Sequence, residues 1–134
     1  MRTKREGETD YVWDELRGRY LVLTPEEYVR RHMLAFLVSY CRVPALSLVQ
    51  EYPVPLNGMA QRADIVAVGR DGRPFLLVEC KAPDVDINKE VWEQAARYNT
   101  VVNARYIMLT NGNKLYCFEL KAEGYCKMDT IPRF

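Results

Sequence analysis

The order of apolar runs predicts an α/β domain with a central mixed sheet flanked by helices, built on an αβββαβ core. Three observations predict it. A capped amphipathic segment opens at Thr24. Two near-continuous apolar runs follow, Arg62 to Gly69 and Pro74 to Lys81, on either side of Asp71-Gly72. A second helical segment then leads to another apolar run, Arg105 to Thr110. Strands that are apolar along their whole length are covered on both faces, so helices belong on both sides of the sheet.

Each element has its own signals. Thr24 suits an N-cap, Pro25 the first helical position, and Glu27 completes a T-x-x-E capping box. The helix should run to Tyr40 or Cys41, with Val29, Met33, Phe36, Leu37 and Tyr40 as its apolar stripe. Leu46 to Val54 reads as a strand that Pro53 and Pro55 end. Asp71-Gly72 reads as a two-residue type I′ turn. That turn pairs Arg70 with Arg73, Val68 with Phe75, Val66 with Leu77 and Asp64 with Glu79, and sets Arg62 opposite Lys81. A three-residue loop would flip one strand and break this alignment. The second helix spans Asn88 to about Asn103, capped by Asp86 or Asn88. Val91, Ala95, Tyr98 and Val102 line one side, broadened by Trp92, Ala96 and Asn99. Asn111-Gly112-Asn113 turns Arg105–Thr110 into a hairpin partner, Lys114 to Leu120.

The first three strands fit an antiparallel meander. The second helix then makes a right-handed crossover to a parallel fourth strand. Tyr11 to Leu23 suggests a short irregular strand or hairpin. The expected organisation is one domain over residues 1–134, with its core at about 13–120 and loosely ordered tails at 1–10 and 124–134.

Composition excludes several classes. Of 134 residues, 49% are apolar and 28% charged, which is globular, and the formal charge of +1 neither demands nor forbids nucleic acid. Arg2, Lys4, Arg5, Arg17, Arg19, Arg30 and Arg31 are basic candidates, each read individually as solvated surface. Cys41, Cys80, Cys117 and Cys126 make no C-x-x-C pair and His32 is the only histidine, which argues against zinc. Buried thiols in a reducing cytoplasm are the expected state. No apolar run approaches the ~20 residues of a membrane span, no targeting segment is visible, and no G-x-x-x-x-G-K-[ST] loop offers an ATP site.

The informative chemistry lies in the central hairpin. Its register brings Asp64, Glu79 and Lys81 to one sheet face. Like charges directly opposite repel, so two acids there call for a divalent cation. Mg²⁺ commonly takes one or two protein carboxylates with water and substrate phosphate. Asp64 and Glu79 would supply those, helped by the Cys80 backbone carbonyl. Lys81 would orient or deprotonate the attacking water, or stabilise the transition state. Cys80 itself should point the other way and pack as a small hydrophobe. The ordinary alternative is a Glu79–Lys81 surface ion pair and a strand-start aspartate.

R-A-D-I-V-A-V, L-L-V-E-C-K-A-P and E-Q-A-A-R-Y-N together resemble the PD-(D/E)XK nuclease superfamily. More narrowly, with T-P-E-E-Y-V-R-R and Y-I-M-L-T-N-G, the chain resembles the N-terminal nuclease domain of type I restriction enzyme R subunits from Trp13 to Leu120. The resemblance implies a restriction-endonuclease-like fold and Mg²⁺- or Mn²⁺-dependent cleavage of DNA phosphodiesters. By the same resemblance Asp64 and Glu79 are metal ligands and Lys81 is the catalytic lysine. Gln94 and Tyr98 match a Q-x-x-x-Y motif and share a helix face; the alternative is a core tyrosine and a helix-favouring glutamine. Glu27 sits where many such nucleases place a further metal-site acid, against its reading as the capping-box acid. The proline of the superfamily motif is Ala63 here.

The expected function is therefore that of a stand-alone Mg²⁺-dependent deoxyribonuclease. It would act on DNA, alone, as a homodimer, or within a larger restriction or defence complex. The competing reading is a non-catalytic DNA-binding or partner-docking module that keeps the nuclease fold.

Overall fold

The computed structural model describes residues 1–134. Along the chain lie β1 (Thr3–Glu6), β2 (Thr9–Asp14), β3 (Arg19–Val22), α1 (Pro25–Ser39), β4 (Leu48–Leu56), β5 (Met59–Val68), β6 (Pro74–Cys80), α2 (Lys89–Val102), β7 (Tyr106–Thr110), β8 (Leu115–Lys121) and β9 (Gly124–Met128). Strands β4 to β9 form one mixed sheet in sequence order. Every pair is antiparallel except β6–β7, which α2 connects as a parallel crossover. The expected αβββαβ core is present. Strands β1, β2 and β3 form a second, separate antiparallel sheet.

The helices begin as their sequences direct. Thr24 Oγ accepts the Glu27 N–H at 3.0 Å, and Asn88 Oδ1 accepts the Val91 N–H at 3.1 Å. These caps satisfy amide donors that have no partner within the helix. Only half of the capping box forms at α1, because the Thr24 N–H donates to the Val22 carbonyl and not to Glu27. At the far end of α2, Asn103 takes a left-handed conformation (φ 57°), which asparagine tolerates.

Each helix covers one sheet face. Val29, Met33, Leu34 and Leu37 of α1 pack on Ile65, Ala67, Leu76, Val78, Cys80 and Met108. Val91, Ala95, Tyr98 and Val102 of α2 pack on Val66, Leu77, Ile107 and Leu109 from the other side. Adjacent residues of β6 therefore serve opposite cores, as the two-residue repeat of a strand requires. Leu37 is fully buried, and truncating such a side chain to alanine costs about 2–5 kcal/mol.

The central hairpin corrects one expectation and keeps its consequence. The turn is not a two-residue type I′ loop. Gly72 N–H donates to Gly69 O at 3.0 Å and Gly69 N–H to Arg73 O at 2.7 Å, enclosing a three-residue loop that ends on Gly72 at φ 82°. Such a loop alone shifts the register by one. A second irregularity cancels the shift: Val68 pairs with Pro74, but Ala67 pairs with Leu76, leaving Phe75 as an extra residue. From there inward the pairing is Val66 with Leu77 and Ile65 with Val78, the expected alignment. The ladder stops before Arg62 and Lys81, so that pair does not form. The true type I′ turn is Asn57-Gly58, with φ of 52° and 75°, joining Leu56 to Met59.

Pro53 and Pro55 do not end β4, which runs through both to Leu56. Strand β4 is the sheet's edge, where a missing outward N–H leaves no ladder bond unmade. Two expected tails are also ordered. Residues 1–10 pair as β1 and β2, with Arg2 lying over the Trp13 ring at 4.7 Å and Trp13 edge-on to Tyr20 at 5.0 Å. Beyond Gly124, β9 pairs with β8. The first is rich in charge and both strands are short, so apolar periodicity did not mark them.

One break in the sheet positions everything that follows. Glu51 of β4 stands opposite Asp64 of β5, between the pairs Gln50–Ile65 and Tyr52–Ala63, and this pair alone drops out of the ladder. Glu51 has a left-handed φ of 53°. Ala63 and Ile65, two apart, then serve opposite cores. The β4–β5 ribbon changes face at this point, and Asp64 sits at the change.

Candidate active site

Asp64 is held from two directions. Its Oδ1 accepts from Arg30 Nη2 on α1 at 3.1 Å, and its Oδ2 accepts the Cys80 N–H of β6 at 2.7 Å. The second bond ties the break in β5 to the end of β6, between Glu79 and Lys81. Asp64 and Glu79 come together without completing the ladder pair.

Glu79 is 5% exposed, and its Oε1 is buried with no hydrogen-bond partner. Burial, then the neighbouring Asp64 charge, push its carboxyl up to about 9. An isolated buried carboxylate is expensive, so the group takes a proton instead. Cys80 points to the α1 core as expected, and burial raises its thiol. Lys81 lies just past β6, with its N–H donating to Thr110 O at 2.9 Å. Its positive charge acts on both Glu79 and Glu26.

The Q-x-x-x-Y pair joins the same place. Gln94 Nε2 donates to the Tyr98 hydroxyl at 3.0 Å, and that hydroxyl donates to Gln61 Oε1 of β5 at 3.3 Å. Burial, then the Glu79 charge, raise the Tyr98 phenol. Tyr98 is also a core residue.

Glu27 behaves differently from its candidate role. Its carboxylate is committed to Arg31 Nε at 2.9 Å and Arg30 Nη1 at 3.4 Å. The acid beside the site is its neighbour Glu26, whose carboxyl is raised by burial and then by the Asp64 charge. Arg30 was missed, because an arginine among charged neighbours reads as solvated surface. It is 8% exposed, and Arg17 and Arg31 are likewise tied up rather than free. Glu51 completes the ring of charge, with Oε2 bonded to Arg17 Nη1 at 2.9 Å and Oε1 lying 3.7 Å from Arg30 Nη1.

The donor set suits a hard divalent cation. No three of the acidic, histidine or cysteine side chains stand as a ready-made cage. Mg²⁺ does not need one, since one or two carboxylates with solvent and phosphate commonly suffice. The unpartnered Glu79 Oε1 beside Asp64 fits that chemistry: a buried oxygen without a donor is a ligand in search of a positive charge. Asp64, Glu79 and the Cys80 carbonyl are the groups able to hold it.

The comparisons agree with this fold. A solved structure described as that of a candidate nuclease of the DUF820 family, from Anabaena variabilis, is similar over 92% of this chain and 77% of its own. Its TM-score is 0.52 at 10% sequence identity, a likeness of fold. No curated protein matches the sequence. No helix is long and apolar enough to cross a membrane. The family model for the type I restriction enzyme R protein N terminus matches residues 25–132, from the start of α1 to beyond β9. The chain thus belongs to the family of type I restriction enzyme R protein N-terminal domains, a nuclease-like family.

Proposed function

We propose that this domain hydrolyses DNA phosphodiester bonds with Mg²⁺ or Mn²⁺ bound by Asp64 and Glu79. The observation that carries the reading is Glu79: a buried acid with Oε1 unpartnered, raised to about 9 beside a second carboxylate. Structural acids are normally satisfied when buried. A buried acid with an unpartnered oxygen, set beside a second carboxylate at a face change in the sheet, suits a site that takes a ligand.

The roles follow from position. A bound divalent cation would supply charge neutralisation on a phosphoryl oxygen and a more acidic water. Asp64 and Glu79 would hold it, with the backbone carbonyl of Cys80, the residue after Glu79. Glu79 would give up its proton to hold the cation. Lys81, at the mouth of the pair, orients the attacking water or meets charge as it builds on the phosphate. Gln94 and Gln61 fix the Tyr98 hydroxyl on the α2 side.

The test is direct. The purified chain is incubated with Mg²⁺ or Mn²⁺ and duplex, single-stranded, nicked or branched DNA, alongside Asp64→Asn. Cleavage by the wild type that vanishes in the variant and in EDTA supports the reading. Salt-sensitive DNA binding without cleavage or metal affinity would instead mark a docking module.

A further inference from the structure

We infer that Arg30 is a phosphate-binding residue held in reserve on Asp64, an inference that rests on the nuclease reading above. Arg30 is 8% exposed, with both ends of its guanidinium in different circumstances. Nη1 lies 3.4 Å from Glu27 and 3.7 Å from Glu51, which anchor it from two elements. Nη2 donates to Asp64 Oδ1 at 3.1 Å. Nε is buried and has no partner. Nε and Nη2 form the side edge of the planar fork, the edge that grips two oxygens of a carboxylate or phosphate at once. Here that edge faces the acid pair and is half used.

A purely structural ion pair would use the edge fully. Asp64 spends its other oxygen on the Cys80 N–H, so the guanidinium receives one bond where the geometry allows two. Asp64 cannot give Oδ1 in full both to Arg30 and to a divalent cation. When the pair loads, Nη2 is released while Nη1 stays anchored, and the whole Nε/Nη2 edge becomes available within the site. The ligand of matching shape and charge is a non-bridging pair of phosphate oxygens. Arg30 therefore neutralises Asp64 before loading and binds the scissile phosphate afterwards. Lysine keeps the charge but not the fork.

The test compares wild type, Arg30→Lys and Arg30→Met, with thermal melting to confirm folding. Mn²⁺ affinity is measured by calorimetry with the metal alone, and DNA cleavage is measured separately. Arg30→Met should bind Mn²⁺ more tightly, having lost a competitor for Asp64. Arg30→Lys should bind it as the wild type does. Both should cleave roughly 100-fold more slowly, and added guanidinium should restore part of the Arg30→Met rate. Wild-type cleavage with an equally fast Arg30→Lys overturns the role of Arg30 alone. Folded variants that both lose Mn²⁺ overturn it too, since Arg30 would then merely scaffold Asp64. A wild type that neither binds Mn²⁺ nor cuts DNA removes the nuclease reading itself, and this inference with it.

Discussion

Two buried acids at two ends of one charged network behave in opposite ways. Asp14, where the N-terminal sheet meets α1 and β4, is fully buried. Burial works to raise it, yet hydrogen bonds from Arg17 and Gln50 and the Arg31 charge hold its carboxyl at about 2. Glu79 is 5% exposed and stands at about 9. Both are shielded from solvent, but their company differs. Asp14 is surrounded by cations and amide donors. Glu79 faces another acid, and one of its oxygens faces no donor at all. The first acid is built to stay ionised and hold the sheet in place. The second is built to wait. Buried polar groups report function through what they lack, and burial by itself reports little.

The largest effect expected from breaking this contrast is on catalysis. Asp64→Ala, Glu79→Ala and Lys81→Ala should each lower DNA cleavage by about 100-fold or more, with thermal melting showing an intact fold. Glu79→Ala should even melt higher at alkaline pH, since it removes a group that resists ionisation there. Next comes Asp14→Ala, which leaves Arg17 and Arg31 facing a buried gap. Unfolding by urea should show a loss of about 3 kcal/mol, with m-values unchanged.

The pH dependence sharpens the comparison further, because the two signs differ. Asp14 falls from an ordinary 3.8 to about 2, so its contribution is complete above about 3.8 and is lost as pH falls towards 2. Glu79 rises from 4.5 to about 9, so in that window the unfolded chain is ionised while the folded one still holds its proton. Stability of the metal-free protein therefore declines as pH climbs from 4.5 to 9. Thermal melts should show Asp14→Asn flattening the acid limb only and Glu79→Gln flattening the alkaline limb only. The smallest effect is Tyr98→Phe. It removes the contacts to Gln94 and Gln61, and should cost about 1 kcal/mol in denaturant unfolding.

Much of the frame was legible because long apolar runs and caps dominate it. Thr24, Pro25 and Asn88 mark helix starts that the structure keeps. The alignment of the central strands was also legible, though for a reason the residues conceal. A three-residue loop and an extra Phe75 cancel, so the simple count from Asp71-Gly72 lands in the right register by way of two irregularities. The Asn57-Gly58 turn was readable and overlooked, since the neighbouring prolines argued that β4 had ended. The break at Glu51 and Asp64 could not be read, because nothing local distinguishes a glutamate with a left-handed backbone. Of the N-terminal sheet, the Tyr11–Leu23 hairpin was legible and the charged β1 was not. The sheet's order comes from rings and guanidinium groups stacking across strands, not from an alternating apolar pattern. Arg30 and Glu26 escaped for a similar reason: helix periodicity finds buried apolar faces and says little about which charge on that face turns inward.

The prolines of β4 carry one last implication. Pro53 and Pro55 sit on the sheet's outer margin with their ring nitrogens turned away from β5. Two successive outward positions there have nothing to donate. That border is blunted against strand addition by a neighbouring copy, whereas the opposite rim, Gly124–Met128, has no proline.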